Sequence, residues 1–345
     1  MNFAIVGCGF IAKKHADSIK EIKGARLIAV SDKIPTNMRR YTEEFGATPY
    51  LDLEEMLSNE SIDIVCICTP TGLHAPLAIQ VANAKKHIIL EKPIAMTLED
   101  TDRIIEACHK NQVKLSIVHP NRYRPVVKEL KQILDSGALG DISHANAIVN
   151  WNRNQEYYNQ SPWRGTKALD GGALLNQAIH NLDLLLWFMG DVEEVYSMEA
   201  TRLRKIEAED VSNGVLKFSS GALGMVQAST TVYPKNFEES ITLFGENGTV
   251  KIGGSNALYF EHIEIKGMSS KEKEGLINQV KTEPWGKPGH QHILEDMMEA
   301  VEMKIEPAIN GVEGRKSLEL VLAMYESAEK NTPIFLSKEK AHVSY

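Results

Sequence analysis

Long hydrophobic runs are missing from this 345-residue sequence. A transmembrane helix needs about 18 or more consecutive apolar residues. No stretch approaches that length, so we expect no membrane partner. The first ten residues, MNFAIVGCGF, are apolar but lack a basic lead and run into a glycine turn. This start predicts a first strand and not a signal peptide.

Positive charge is also in short supply. The chain has 38 Lys and Arg against 46 Asp and Glu, which gives a net charge of −8. No Lys/Arg-rich stripe opposes this field, so a nucleic-acid partner is not expected. Phosphate groups can bind only where a local site provides for them.

Cysteine is rare, and none of the four is spaced as a metal ligand, so we predict no metal site. Cys66 and Cys68 alternate in DIVCICTP, which puts both on one face of a buried strand. Small buried thiols of this kind are typical of a reducing compartment. The expected location is the cytoplasm.

Two domains are predicted from the length and from a change of pattern near residue 120. Residues 1–120 alternate near-continuous apolar strands with helices, which indicates a doubly wound α/β fold with a parallel sheet. Residues 121–345 read as an α+β domain with a largely antiparallel sheet and an Asn247–Gly248 hairpin turn. Its hairpins suggest one uncovered sheet face, which invites pairing of subunits.

A dinucleotide fingerprint, GCGFIA, lies between the first strand and the first helix. Gly7 permits the tight turn, Gly9 lets the backbone approach a pyrophosphate, and Ala12 keeps the helix close to the sheet. Backbone N–H groups at the helix start, at Phe10 and Ile11, would hold the diphosphate. This pattern predicts an N-terminal Rossmann domain.

Asp32 ends the second strand, where a carboxylate can accept the ribose hydroxyls and would repel a 2′-phosphate. NAD is therefore the expected cofactor, and NADP is less favoured although basic residues follow Asp32. Thr69, Pro70 and His74 leave the third strand at the edge where ligands collect, and we predict that they line the cofactor. His74 could equally cap the helix that starts there.

A charged pair ends the next strand, in which Ile88–Leu90 run directly into Glu91, Lys92 and Pro93. The carboxyl end of this strand would bring Lys92 toward the nicotinamide crevice. Glu91 could tune the lysine or simply cap the strand end, and it is counted among the cofactor-binding residues.

A second polar set follows in ALDGGALLNQAIHNLD. Asn176, His180 and Asp183 stand at i, i+4 and i+7, which places them on one helix face. A histidine can take a hydroxyl proton near pH 7, and a Lys92 ammonium can stabilise the alkoxide. We expect this lysine and histidine to meet over one nicotinamide ring, with Asp183 orienting the imidazole or serving as support.

The fingerprint, the EKP tip and the glycine-rich helix entry ending in His together resemble the Gfo/Idh/MocA oxidoreductase family over essentially the whole chain. The resemblance implies that Lys92 is catalytic, that the Lys92–Pro93 bond is cis, and that Asn121 and Arg122 line the nicotinamide side. It also implies a homodimer or homotetramer. Family members usually have Asp where this chain has Asn176, which leaves the proton transfer to His180.

The loop WNRNQEYYNQSPWRGT concentrates aromatic and basic side chains that suit a sugar ring, a base, a phosphate or a carboxylate. The candidate substrate residues in it are Arg153, Tyr157, Trp163 and Arg164. A subunit interface is the other reading of this loop. It most resembles the branch of the family that oxidises carbon 3 of UDP-N-acetylglucosaminuronate for surface polysaccharide precursors. Alternatives are an inositol or simple-sugar dehydrogenase, an NADP-linked sugar ketoreductase, and a non-catalytic NAD(P)-binding regulator.

Overall fold

Residues 1–336 are described by the computed structural model, and they divide into two units. Unit 1 comprises Met1–Pro120 and Lys287–Arg315, and unit 2 comprises Asn121–Gly286 and the described residues from Lys316 onward. The predicted boundary at residue 120 coincides with the end of the first segment of unit 1. The prediction placed residues 287–315 in the second domain, and the structure differs because a helix in this segment packs on the first helix of the chain.

Unit 1 is built on a six-stranded sheet in which every neighbouring pair is parallel. Its strands are β1 (Asn2–Val6), β2 (Arg26–Ser31), β3 (Thr48–Tyr50), β4 (Ile64–Ile67), β5 (His87–Leu90) and β6 (Leu115–Ile117). Its helices are α1 (Phe10–Glu21), α2 (Pro35–Phe45), α3 (Leu53–Leu57), α4 (His74–Asn83), α5 (Leu98–Asn111) and, from the later segment, α10 (Gly289–Met303).

The strand order β3-β2-β1-β4-β5-β6 reverses direction between β1 and β4. Every residue of β4 is buried, as expected for a strand covered on both faces. Ligands of such sheets bind at the carboxyl ends of the strands beside this switch point. The predicted Rossmann fold is confirmed, and its ligand edge carries the glycine turn after β1.

Unit 2 carries an eight-stranded sheet in the order β13-β12-β11-β7-β10-β9-β8-β14. Its strands are β7 (Ile142–Asn150), β8 (Val192–Ala200), β9 (Val211–Phe218), β10 (Leu223–Ser229), β11 (Glu238–Gly245), β12 (Gly248–Gly253), β13 (Tyr259–Ile265) and β14 (Ile334–Phe335). The remaining helices are α6 (Pro125–Asp135), α7 (Gln155–Asn159), α8 (Ile179–Met189), α9 (Ser270–Thr282) and α11 (Gly311–Lys330).

Only the pair of β7 and β10 is parallel in the described part of this sheet, so the predicted largely antiparallel sheet is confirmed. A hairpin joins β11 to β12 where the sequence predicts one, but its two-residue turn is Glu246–Asn247, and Gly248 is the first residue of β12. Buried and exposed residues alternate along β9, which leaves one face of the sheet open. Among the described residues, no helix combines the length and apolarity needed to cross a membrane.

Candidate active site

The glycine turn after β1 fits a dinucleotide. Gly7 has φ +86°, and a Cβ there would lie 2.8 Å from Thr69 Cγ2, so only glycine is accommodated. A Cβ on Gly9 would meet nothing within 4 Å, which leaves the approach to the helix open. No side chain caps the first turn of α1, so its N–H groups remain available to a diphosphate. Ala12 is fully buried, as predicted for helix-to-sheet packing, whereas Phe10 is 85% exposed.

Asp32 is fixed by the turn that it follows. One carboxylate oxygen accepts the Cys8 N–H at 2.8 Å, and the other accepts the Ile34 N–H at 2.8 Å. These two backbone donors orient a half-buried carboxylate beside the glycine turn. The position is suited to accepting ribose hydroxyls, as the sequence predicts.

The loop after β4 divides into one residue that suits the cofactor and one that does not. The Thr69 hydroxyl is buried and has no partner among the described residues, so a ligand hydroxyl or phosphate could satisfy it. Pro70 precedes a 3₁₀ turn over Thr71–Leu73. His74 was predicted to line the cofactor, but it is completely buried, with its ring nitrogens facing the carbonyls of Pro93 at 2.8 Å and Thr69 at 3.0 Å. Burial lowers the pKa of His74, and a neutral imidazole, which carries a single N–H, donates to only one of these two carbonyls.

The EKP tip at the end of β5 is enclosed by histidines. The Lys92–Pro93 peptide is cis, as the family resemblance implies. Glu91 Oε1 lies 2.9 Å from His15 Nε2 and 3.5 Å from His290 Nε2, and Glu91 Oε2 accepts the Lys92 N–H at 3.3 Å. Glu91 is only 6% exposed, so its side chain lies in the protein interior, and its inclusion among the cofactor-binding residues stays a prediction. Its oxygens are occupied inside the protein, where it caps the strand end.

The charges in this cluster balance. Burial alone would raise the pKa of Glu91, but the hydrogen bonds and charges of His15 and His290 hold it well below its usual range. Burial would likewise lower the pKa of His15, yet the neighbouring thiols and Glu91 raise it well above its usual value. Burial raises the pKa of Cys68 to about 11, so this thiol is neutral near pH 7 and Glu91 is the counter-charge of His15. Burial and the neighbouring His15 lower the pKa of His290, and Glu91 opposes this shift only in part.

The sequence missed this cluster, whose residue types also occur in zinc sites. Two ligand atoms on one tetrahedral zinc stand roughly 3.3 Å apart, given metal–ligand distances near 2.0 Å. The 2.9 Å between His15 Nε2 and Glu91 Oε1 is the distance of a charge-assisted hydrogen bond. We therefore interpret the cluster as held together by protons.

In unit 2 the glycine pair opens a helix that begins irregularly. Gly171 has φ +79°, and a Cβ on Gly172 would lie 2.0 Å from Glu209 Oε2. Residues Ala173–Ala178 form a π-helix that continues into α8, so the regular α-helical spacing assumed from the sequence does not hold. Asn176 and His180 are half-buried in this stretch.

Asn176 and Asp183 have different surroundings. The Asn176 amide donates to the Asp170 carboxylate, which also accepts the Gly165 N–H at 2.7 Å. Asp183 is 2% exposed, and its two oxygens accept hydrogen bonds from Arg122 at 2.9 and 2.7 Å. This pairing fits the predicted role of Asp183 as structural support, and a contact of Asp183 with substrate stays a prediction.

The predicted cofactor residues Asn121 and Arg122 are also engaged within unit 2. Arg122 is 7% exposed, lies 5.2 Å from the centre of the Trp187 ring and is the partner of Asp183. Asn121 is equally buried and donates to Glu239 at 3.3 Å. A bidentate buried pair fixes both of its members, and spacing alone does not predict which residues form such a pair.

The predicted substrate residues do come together. Tyr157 lies between two guanidinium groups, with Arg164 at 4.2 Å and Arg153 at 5.3 Å from its ring centre. Arg164 also lies 4.8 Å from the Trp163 ring, and Arg153 donates to Gln177 at 2.9 Å. Within residues 1–336 neither arginine forms an ion pair with a carboxylate. Two unpaired guanidinium groups on one aromatic ring form a site suited to an anion.

A cavity of about 380 Å³ adjoins Arg153 and is lined by Asn152, Lys235, Asn236 and Ser255. Arg153 donates to the Asn236 side chain at 3.3 Å and to the Asn152 carbonyl at 2.7 Å. The sequence missed Gln177 and Lys235. Gln177 could have been found from its place beside Asn176.

Comparison with known proteins gives the family. Residues 1–119 match the model of the oxidoreductase family with an NAD-binding Rossmann fold, and residues 127–251 match the GFO/IDH/MocA C-terminal domain. The chain is 28% identical to myo-inositol 2-dehydrogenase of Thermotoga maritima, over 98% of this chain and 99% of that protein.

Two similar crystal structures are WlbA dehydrogenases in complex with NADH and UDP-GlcNAcA. The Bordetella pertussis enzyme is 35% identical, with a TM-score of 0.93 and 98% of each chain covered. The Chromobacterium violaceum enzyme is 37% identical, with a TM-score of 0.92, covering 99% of this chain and 97% of that chain. The predicted oxidoreductase is confirmed over the alternative of a non-catalytic regulator. The chain belongs to the Gfo/Idh/MocA oxidoreductase family and is an NAD-dependent dehydrogenase.

Proposed function

We propose that this enzyme oxidises the carbon-3 hydroxyl of UDP-N-acetylglucosaminuronate, in the synthesis of surface polysaccharide precursors. The observation that carries the proposal is the pair of guanidinium groups on Tyr157, which has no carboxylate partner among the described residues. Two such cations on one aromatic ring offer a local site for an external anion. A uronate carboxylate and a diphosphate supply it, whereas inositol or a neutral sugar does not.

The anion site is continuous with the helix that carries the proposed base. Arg153 donates to Gln177, which directly follows Asn176 at the start of the helix leading to His180. A ligand anchored at Arg153 would thus place its sugar near the Asn176 amide and the His180 imidazole. The two WlbA structures that hold UDP-GlcNAcA resemble this chain more closely, at 35 and 37% identity, than does the myo-inositol dehydrogenase at 28%.

Each proposed catalytic residue has one chemical task. Bound NAD supplies the hydride acceptor. His180 takes the proton of the carbon-3 hydroxyl, and the Lys92 ammonium stabilises the negative charge that develops on that oxygen. Asn176 has no carboxylate and serves as a hydrogen-bonding partner of the substrate, oriented by Asp170.

The test compares two substrates that differ in one group. We expect NADH formation with UDP-N-acetylglucosaminuronate and at least about 100-fold lower kcat/KM with UDP-N-acetylglucosamine, which lacks the carboxylate. The variant Arg164→Lys keeps the charge but loses the planar stacking on Tyr157, so the KM for the uronate should rise about 10-fold. The exposed Arg202→Lys is the matched control. Equal rates with both nucleotide sugars, or faster turnover of myo-inositol, would reject the proposal.

We also propose that the open face of the unit 2 sheet pairs two copies of the chain, as part of a homodimer or homotetramer. Val215 and Met225 are cross-strand neighbours on this face and are 57% and 39% exposed. Light scattering should give an oligomer for the wild type and a smaller species for Val215→Lys. A monomeric wild type would contradict this assembly.

A further inference from the structure

Buried histidines contact the residues on both sides of Lys92. Glu91 precedes the lysine and Pro93 follows it, and neither residue has a free orientation. Leu90 before this tip and Ile94 after it are 0% and 1% exposed, so the backbone is anchored in the core of unit 1. Only Lys92 within this turn reaches a half-buried setting.

Two histidines from distant parts of the sequence contact Glu91. His15 lies in α1, the helix that starts at the glycine turn, and His290 lies in α10. Their rings meet edge to face at 5.1 Å. His15 Nε2 hydrogen-bonds one carboxylate oxygen of Glu91 at 2.9 Å, and His290 Nε2 lies 3.5 Å from the same oxygen without forming a hydrogen bond within the described residues. The other carboxylate oxygen accepts the Lys92 N–H. A displacement of either imidazole would therefore be passed to the Lys92 backbone.

Pro93 has a separate contact, with a third histidine. The Pro93 carbonyl faces His74 Nδ1 at 2.8 Å, and the opposite ring nitrogen faces the Thr69 carbonyl at 3.0 Å. His74 begins α4 and Thr69 follows β4, so this buried ring lies between the tip and the neighbouring strand, although a neutral imidazole donates to only one of the two carbonyls. Both sides of the lysine are thus fixed by elements that bear no side chain of the proposed chemistry.

We propose that His290 and His15 are positioning residues for the dehydrogenation, acting through Glu91 on the orientation of Lys92. The inference rests on the proposed function, because it assumes that Lys92 acts on the substrate oxygen. A shift of about 1 Å in a catalytic group can cost up to about 100-fold in rate. The segment 287–315 therefore contributes to catalysis and does not only add stability to the Rossmann unit.

A double-mutant cycle separates positioning from general stabilisation. Replacing His290 by Leu removes the ring nitrogen that faces Glu91. We expect kcat to fall about 10-fold, while the KM for the sugar and the Kd for NADH stay within about two-fold. His290→Gln places an amide nitrogen at similar reach and should recover most of the loss. Gln291→Leu, one residue along α10, should have no effect, because Gln291 instead bonds Glu295.

The decisive measurement of the cycle introduces His290→Leu into the Lys92→Ala variant. If His290 acts through Lys92, the second substitution should change the remaining single-turnover rate by less than about two-fold. A full further 10-fold loss, or a failure of His290→Gln to recover activity, would overturn the inference. If His290→Leu does not fold, His290→Asn, whose shorter amide cannot reach Glu91, takes its place. Unchanged turnover in Lys92→Ala alone would instead reject the proposed role of Lys92.

Discussion

Two buried glutamates, one in each unit, behave in opposite ways. Glu91 in unit 1 and Glu209 in unit 2 are 6% and 5% exposed. The pKa of Glu91 lies well below its usual range because His15 and His290 outweigh the effect of burial. For Glu209 burial prevails and raises the pKa to about 8, although Leu174 and Tyr325 donate hydrogen bonds to it.

The difference shows that the partner decides the charge state of a buried carboxyl group. An imidazole can take up a proton and so become a counter-charge, whereas an amide or a phenol offers only a dipole. Both glutamates brace an element that carries a proposed catalytic residue. Glu91 accepts the Lys92 N–H, and where the His180 helix begins the Glu209 carboxyl group accepts the Leu174 N–H while the Glu209 backbone carbonyl accepts the Ala173 N–H. The Glu91 carboxyl group is ionised near pH 7, and the Glu209 carboxyl group has a pKa of about 8.

The largest expected effect comes from removing the proposed catalytic side chains on the two elements that Glu91 and Glu209 support. Lys92→Ala and His180→Ala should each lower turnover about 10²- to 10⁴-fold, since one stabilises the developing charge and the other accepts the proton. NADH fluorescence titration should give an unchanged Kd. The exposed His262→Ala is the control. Equal turnover in either variant would remove that residue from the mechanism.

Removing the ionised carboxylate of Glu91 should change the free energy of unfolding more than replacing Glu209 does. Glu91→Ala leaves two imidazoles in the core without their carboxylate, and losing one partner of a buried pair costs about 3–5 kcal/mol. Denaturant unfolding at pH 7 measures the loss. Glu264→Ala removes an exposed carboxylate paired with Lys273 and should change little. The stabilisation from Glu91 should be present above pH 4.5 and disappear as the pH falls toward its lower folded-state pKa. A small loss in Glu91→Ala would remove the contrast with Glu209.

The contribution of Glu209 to stability should change with pH in the opposite direction to that of Glu91. The unfolded chain releases the Glu209 proton near pH 4.5, and the folded chain does so only near pH 8. Wild-type stability should therefore decline between these values, by on the order of 4 kcal/mol at most. Glu209→Gln keeps an acceptor for Leu174 and Tyr325 without the titration. Unfolding curves at intervals from pH 5 to pH 8 should show a growing advantage of the variant, and a constant difference would contradict the assignment.

The sequence predicted those features that lie within one short stretch. The turn at Gly7, Gly9 and Ala12 depends on local backbone requirements, so its residues are recognisable without the fold. The hairpin between β11 and β12 was expected from Asn247 and Gly248, and its turn lies one residue earlier. The clustering of arginines around Tyr157 followed from a loop with a distinctive composition.

The features that were missed depend on long-range contacts. His15, Glu91 and His290 are separated by 76 and about 200 positions, and each looks ordinary in its own helix or strand. For the same reason the pairing of Arg122 with Asp183, across 61 positions, was not predicted. The π-helix at Ala173–Ala178 is maintained by Glu209, which periodicity cannot reveal.

The position of the oxidised carbon gives the most direct test of the proposed reaction. The substrate is UDP-N-acetylglucosaminuronate with deuterium at carbon 3, incubated with the wild-type enzyme and NAD, and the readout is mass spectrometry of the NADH formed. The account predicts NADH carrying one deuterium and a slower turnover than with unlabelled substrate. Unlabelled NADH, or no NADH at all, would contradict it.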